Sequence, residues 1–332
     1  MAVETHTISP FKAAAVQAAP IWFDLNATID KSIRLMEQAA DQGVRILAFP
    51  ETWLPGYPVF IWMKDFSWQA PHRGAYHEAS LELGSEQHRK LEAAVKRTGV
   101  MCLLGLSERQ GDRIYMAQML IDPINGTIMT RRKIKPSGLE GTFFSTGDAD
   151  NLKVVPTPLG NIGALNCSEH RRPLLRHVMS NQNEQLHVAS WPSFGLNADS
   201  TTVRGLWNGL ERRPVYGVRP DVISMRPDAC MTTTRAYARE GGLYVLAPTI
   251  VIDDTLRSGW AREDGLVDQL ALGGGATHIF NPMGEDAVTP LAHDEEGLLI
   301  ATVDYSLLRD VHDADPLFEK ISAAEYHRVF FP

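Results

Sequence analysis

Asn161-Ile-Gly-Ala-Leu-Asn-Cys-Ser-Glu-His170 is the stretch on which the reading of this chain turns. Its first half is a short apolar run of the kind that forms a strand buried on both faces. The polar residues from Asn166 onward end that strand and open a turn into a helix. Strand, turn and helix in succession are the unit from which α/β folds are built. Cys167 stands at the turn, where a thiol is expected to have a partly exposed sulfur near backbone N–H groups that favour the nucleophilic thiolate. Free cysteine is also among the most buried residue types and often only fills space, so the role of Cys167 rests on its surroundings.

Working outward, two further chemical groups fall at strand ends. Val44-Arg-Ile-Leu-Ala-Phe-Pro-Glu51 is a β-rich run that closes on Pro-Glu, which puts the Glu51 carboxylate where the strand runs out. Met116 to Ile121 reads as a strand, Asp122-Pro-Ile-Asn-Gly126 as its turn, and Thr127 to Lys135 as the returning arm of a hairpin that carries Lys133 at its end. A carboxylate, an ammonium and a thiol together can attack an amide or a carbon–nitrogen multiple bond. The carboxylate takes the thiol proton, the ammonium stabilises charge on the atom that was multiply bonded, and the same carboxylate then activates water. Taken singly, Glu51 and Lys133 read more readily as a solvated carboxylate and a surface lysine.

The wording around these residues decides between the readings. Ala14-Ala-Val-Gln-Ala-Ala-Pro20, Leu47-Ala-Phe-Pro-Glu-Thr-Trp-Leu-Pro-Gly-Tyr-Pro58, Arg132-Lys-Ile-Lys-Pro136, Leu165-Asn-Cys-Ser-Glu-His170 and Ala189-Ser-Trp-Pro192 resemble, in order and spacing, the signatures of the nitrilase branch of the carbon-nitrogen hydrolase superfamily. Thr234 to Val245 and Gly273 to Gly284 resemble its later helix and strand blocks. The resemblance implies an α/β fold of the four-layer αββα sandwich type. It also implies Cys167 as nucleophile, Glu51 as general base, Lys133 as stabiliser of the developing negative charge, and Glu140 as a second glutamate that orients substrate and lysine. The backbone N–H of Ser168 would complete the anion-stabilising site. The activity implied is hydrolysis of an organic nitrile to acid and ammonia through a thioimidate and a thioester. Hydrolysis of a small amide by the same residues and a catalytically silent binding protein are the alternatives. Glu169 and His170, following the nucleophile, resemble the nitrilase pattern more than the amidase one. Such proteins pair through helices near the nucleophile, which implies at least a homodimer here, through Pro173 to Met179 and Thr232 to Glu240.

The chain also departs from that pattern. Ser168 stands where a bulky aromatic usually follows the nucleophile, which removes a wall of the pocket and leads us to expect some amide beside the acid. Gly141-Thr-Phe-Phe-Ser-Thr-Gly147 lacks the arginine that usually follows the second glutamate, and Asp315 to Phe331 replaces the usual C-terminal signature. Tyr57, Ser168, His170 and Trp191 are the candidates for contact with substrate. Trp53, Phe60 and Trp62 are either cavity wall or ordinary aromatic core.

At 332 residues the chain can bury a large core, and the resemblance reads it as one catalytic domain over 1–332, with a core of about 11–304 and a tail of about 305–332. Its 40 acidic and 32 basic side chains give a net charge of −8, and basic pairs such as Arg131-Arg132 are isolated, which argues against a nucleic-acid partner. Cys102, Cys167 and Cys230 form no disulfide framework, and the first residues lack a basic segment followed by an apolar core, which points to the cytoplasm. No apolar run is long enough to span a bilayer. Cys167, His170 and His177 do not have zinc-ligand spacing, and Gly273-Gly-Gly275 lacks the residues of a phosphate loop. No metal or cofactor is therefore expected, and the glycines read as a tight turn into a strand.

Periodicity supplies the rest of the outline. It predicts strands at Ala13 to Gln17, Ile46 to Phe49 and Val100 to Leu106, and helices over Asn26 to Gln42 and Leu81 to Thr98. Arg204 to Pro220 reads as an insertion, and the loops Phe60 to His72 and Leu196 to Asn208 as the shapers of the pocket.

Overall fold

The strands are apolar along both faces because each sheet is covered twice. The structure is a computed structural model that describes residues 8–195, 227–262 and 267–314. Arg204 to Pro220, Leu196 to Asn208 and Asp315 to Phe331 lie outside the described residues. The first sheet contains β1 (Phe11–Ala18), β2 (Val44–Ala48), β3 (Leu81–Glu82), β4 (Met101–Gln110), β5 (Arg113–Asp122) and β6 (Gly126–Arg132). The second contains β7 (Val155–Thr157), β8 (Gly160–Asn166), β9 (Leu186–Ser190), β10 (Tyr244–Ala247) and β12 (His278–Phe280). The remaining strands, β11 (Thr249–Ile250) and β13 (Gly297–Val303), join the first sheet beside β1.

The main path of the first sheet is β11-β1-β2-β4-β5-β6, and that of the second is β12-β10-β9-β8-β7. Alternation then sorts the strand residues into layers. Ala13, Ala15, Ile46, Ala48, Met101 and Leu103 of the first sheet share one buried cluster with Ile162, Ala164, Leu186, Val188 and Leu246 of the second. The residues between them point outward. Ala14, Val16, Leu47, Cys102 and Leu104 pack with α1 (Leu25–Asp41), α2 (Phe66–Glu78) and α3 (Glu86–Thr98), whereas Leu165, Ala189, Val245 and Ala247 pack with α5 (Pro227–Gly241). Helix, sheet, sheet and helix are the layers of an αββα sandwich.

Local chemistry sets the element ends. Asp24 caps α1 by accepting from the Ala27 N–H at 2.9 Å, and Ile29, Leu35, Met36 and Ala39 bury its apolar stripe. The helix expected over Leu81 to Thr98 is instead divided. Leu81–Glu82 pair with β4 as β3, Gly84 takes φ +80, and the Ser85 hydroxyl accepts the His88 N–H at 3.2 Å to begin α3. A left-handed residue followed by a good N-cap stops one element and starts the next. The hairpin of β5 and β6 forms as expected, with Asp122 Oδ1 accepting from the Ile124 and Asn125 N–H groups in the turn. Gly273 and Gly274 adopt φ +86 and +75 in the turn ahead of β12. Among the described residues no helix is long and apolar enough to cross a membrane.

Candidate active site

Glu51, Lys133 and Cys167 each follow the end of a strand, β2, β6 and β8 respectively. The first two come from one sheet and the third from the other. Glu51 reaches its place because the Phe49-Pro50-Glu51 turn lies directly against β4. A Cβ on Gly105 would come within 1.9 Å of the Pro50 carbonyl oxygen, so only glycine permits that approach. The Glu51 N–H donates to the Trp191 carbonyl at 3.2 Å, which fixes the turn to the strand end of β9.

The structure brings Glu51, Lys133 and Glu140 into direct contact. Lys133 Nζ donates to Glu51 Oε1 at 2.8 Å and to Glu140 Oε2 at 2.8 Å, and Met116 Sδ lies 3.7 Å from it. All three ionisable side chains are buried, with relative exposures of 0–1%. Glu140 is held by the short turn Gly138–Thr142. Its Oε2 accepts the Ser137 N–H at 2.6 Å, and its Oε1 accepts the Tyr57 hydroxyl at 2.8 Å. Trp62 Nε1 donates in turn to that hydroxyl at 2.9 Å. Glu51 Oε2 is buried with no hydrogen-bond partner among the described residues, so one carboxylate oxygen stays available as an acceptor.

Burial acts on every charge in this group. It is the main force pushing the Glu51 carboxyl up to about 8, aided by the Glu140 charge and opposed by Lys133. Burial works against the Lys133 ammonium as well. There the Glu140 and Glu51 carboxylates outweigh it and hold the lysine above its ordinary range. The Cys167 thiol is pushed well above its usual value, first by burial and then by the Glu51 and Glu140 charges, with Lys133 pulling the other way.

This corrects the expectation of a partly exposed, thiolate-favouring cysteine. Cys167 is 2% exposed and shares a buried cluster with Trp191, Cys230 and Met231. The segment it opens, Cys167–Arg171, is the expected tight turn, and the helix that follows, α4 (Pro173–Ser180), begins two residues beyond it. The resting sulfur is therefore a thiol that needs a base. Its backbone sits at φ +46, a conformation that costs about 1–3 kcal/mol for a residue with a side chain.

Two sets of side chains hold that turn. His170 Nδ1 donates to the Cys167 carbonyl at 2.8 Å, and its Nε2 meets His187 Nε2 at 2.9 Å. A carbonyl only accepts, so Nδ1 carries the proton. Burial, followed by the neighbouring His187, keeps the ring well below the usual histidine range and thus neutral. The chain of bonds continues from His187 Nδ1 to Glu184 Oε1 at 2.6 Å and from the Tyr237 hydroxyl to Glu184 Oε2. On the other side, Glu169 pairs with Arg131, which contributes Nη2 at 2.8 Å and Nη1 at 2.9 Å.

The four residues expected at the substrate fall in different places. Ser168 is half-buried, and its hydroxyl pairs with that of Ser137 at the start of the Glu140 turn. Tyr57 is buried with its hydroxyl committed to Glu140. His170 is buried with Nδ1 on the Cys167 carbonyl and Nε2 against His187 Nε2, so both ring nitrogens are engaged within the protein. Trp191 is fully buried; it stacks on His170 with centroids 5.5 Å apart and donates Nε1 to Thr234 Oγ1 at 3.1 Å. Trp53 belongs to the core against α1, where it donates to Ser32 Oγ at 2.8 Å. Phe60 joins an aromatic cluster with Phe23, Tyr76 and Phe143. Among the described residues no group of three or more His, Cys, Asp or Glu is placed to hold a metal ion.

The carbon-nitrogen hydrolase profile covers residues 12–313. The chain belongs to the carbon-nitrogen hydrolase family. Within it, the chain lies on the nitrilase branch. It is 42% identical over 299 residues to a nitrilase of Pseudomonas syringae pv. syringae, covering 90% of this chain and 83% of that one. It is 36% identical over 299 residues to an aliphatic nitrilase of Rhodococcus rhodochrous, covering 90% and 76%. The fold is similar to that of a carbon-nitrogen hydrolase from Helicobacter pylori, with a TM-score of 0.71 at 18% identity, covering 97% of this chain and 99% of that one.

For this carbon-nitrogen hydrolase, sequence reasoning missed Arg131, which it set aside as half of an isolated basic pair. The signal was present in the alternation of β6: Met129, Arg131 and Lys133 fall on one buried face, while Thr130 is exposed and Arg132 half-buried on the other.

Proposed function

We propose that this enzyme hydrolyses an organic nitrile to the carboxylic acid and ammonia, with Cys167 as nucleophile, Glu51 as base, Lys133 as the positive charge at the reacting nitrogen and Glu140 as the group that aims Lys133. The observation that carries the assignment is the Lys133 ammonium held 2.8 Å from each of two buried carboxylates, beside a buried thiol on which all three charges act.

In this reading the Glu51 carboxylate takes the Cys167 proton as sulfur adds to the nitrile carbon. The proton passes to the former nitrile nitrogen, and the product of this step is a thioimidate. Lys133 offsets the negative charge that grows on nitrogen during the addition. Water adds to the thioimidate carbon with Glu51 accepting its proton, and loss of ammonia leaves a thioester. A second water, activated in the same way, releases the acid and restores the thiol. One nitrile and two waters give one acid and one ammonia. A carboxyl whose value lies near 8 exchanges protons readily in both directions near neutral pH, as a base used twice must.

The test is product analysis of the purified protein against nitriles and their matching amides, scoring acid, amide and ammonia, with Cys167→Ala in parallel. Nitrile turnover lost in that variant supports the assignment. Turnover of amides alone would replace it with amide hydrolysis, and silence on both would favour a binding role.

Two finer readings accompany it. We place self-association on α4, where Leu174 and Val178, one turn apart, are 60% and 43% exposed; light scattering of the purified protein tests this. We place the protein in the cytoplasm, which fits three cysteines that are all free and buried.

A further inference from the structure

Gln118 lies on β5, sharing its face with Leu120 of the inter-sheet core, and is fully buried. Such an amide must bond to something, and its bonds cross between the sheets. Its Nε2 donates to the Leu165 carbonyl at 3.2 Å and to Ser190 Oγ at 2.9 Å. Ser190 Oγ in turn donates to the Phe49 carbonyl at 3.0 Å. On its other side, Gln118 Oε1 accepts Arg131 Nη1 at 2.7 Å. Arg131 is the partner of Glu169, whose carboxylate also accepts the Asn166 N–H at 2.8 Å and the Ile134 N–H at 2.9 Å.

The placement of these contacts is regular. Phe49 lies two residues before Glu51, Arg131 two before Lys133, and Leu165 two before Cys167. One side chain therefore connects, directly or through a single intermediary, to the strand ends that carry all three reacting groups. The apolar packing around it is non-directional and does not by itself fix how far one sheet slides on the other. Hydrogen bonds with defined lengths and angles do fix it. Cys167 comes from the second sheet and its base and cation from the first, so this slide sets the distance from sulfur to carboxylate.

We propose that Gln118 is a positioning residue for the reaction: it locks the two sheets in the one register that aligns Cys167 with Glu51 and Lys133. This rests on the catalytic roles assigned above. Gln118 touches none of the reacting atoms and acts through the three strand ends.

The experiment compares Gln118→Met, which keeps length and removes polarity, with Ser190→Ala, which removes only the branch to Phe49. Both are measured as kcat and KM on nitrile, corrected for the amount of folded enzyme, together with the rate of Cys167 alkylation by iodoacetamide read by peptide mass. A misplacement of the order of 1 Å costs about 100-fold in rate, so Gln118→Met is expected to lose about that much in kcat with KM within threefold, and to alkylate Cys167 more slowly. Ser190→Ala is expected to lose about tenfold in kcat, part of that 100-fold, and carries the test if Gln118→Met does not fold. A purely structural role would lower the melting temperature and leave kcat per folded molecule unchanged. Folded Gln118→Met with kcat within threefold of the parent overturns the proposal, as does Ser190→Ala at the parental kcat when it alone folds. Cys167→Ala that still turns over nitrile would instead overturn the catalytic assignment.

Discussion

Glu169, two residues after Cys167, and Arg131, two residues before Lys133, meet in a bidentate ion pair at 2.8 and 2.9 Å with side-chain exposures of 0% and 1%. The pair joins the turn of one sheet to the hairpin of the other. Burial opposes the Glu169 charge, but Arg131 and the two backbone N–H groups outweigh it and hold the carboxyl below its ordinary range.

Breaking such a pair from one side leaves a charge buried without its partner. Glu169→Gln is expected to cost about 3–5 kcal/mol of stability at pH 7, measured by denaturant unfolding. The sign with pH follows from the depressed native value. The pair's contribution is complete above the unfolded carboxylate value and is lost as pH falls through the native one, so the penalty of the substitution should shrink on acidification.

Glu51 titrates in the opposite sense. Its native value of about 8 lies above the ordinary carboxylate range, so the folded protein binds more protons than the unfolded chain between those two limits. Stability from this group is full below the ordinary range and declines as pH rises toward 8. Lys133, held above its usual value, is charged in both states across that window and adds no slope. The stability of Glu51→Gln relative to the parent should therefore rise between pH 5 and pH 8, by up to about 1.4 kcal/mol per pH unit, read from denaturant unfolding at the two pH values. An equal difference at both ends would contradict the assignment.

Activity should follow the same group. If the Glu51 carboxylate is the base, kcat/KM increases with pH through an ionisation near 8 in the free enzyme. A profile flat from pH 6 to about 9 would rule out Glu51 as the titrating base.

Tyr57 holds the far oxygen of Glu140 at 2.8 Å. Tyr57→Phe leaves the ring and removes that bond, freeing Glu140 to turn away from Lys133. A bond to a charged group contributes about 1.5–3 kcal/mol, so Tyr57→Phe is expected to lose about that much stability in denaturant unfolding and, per folded molecule, to show a lower kcat on nitrile.

Ser168 bonds to Ser137 at the head of the Glu140 turn, so the residue after Cys167 is coupled to a carboxylate that holds Lys133. In the proposed reaction the tetrahedral intermediate loses either ammonia on the way to acid or the thiolate to release amide, and about 1.4 kcal/mol between these exits changes the ratio tenfold. The parent enzyme should give measurable amide beside acid, and Ser168→Ala should change the ratio. Acid alone from a broad set of nitriles in both proteins would refute this.

The sequence by itself determined the local elements wherever one physical rule acted alone. Ala13 to Gln17 and Asn26 to Gln42 lie within a residue or two of β1 and α1, because alternation and the helical stripe are properties of short windows. It also placed Glu51, Lys133 and Cys167 at strand ends, since polar residues that close apolar runs mark where strands stop. It misjudged Leu81 to Thr98, where a leucine-rich pattern concealed the Gly84-Ser85 break.

What only the tertiary structure decided were properties of pairs distant in sequence. The cluster that buries Cys167 includes Cys230 and Met231 on α5, far along the chain, and no local pattern around the thiol reports them. The raised Glu51, the committed Tyr57 and the neutral His170 depend in the same way on partners supplied by other elements. Electrostatic energy varies with distance and with exclusion of water, and both are set when the two sheets close on each other. The sequence names the candidate reacting groups; the packing of the second sheet on the first sets their surroundings and their geometry.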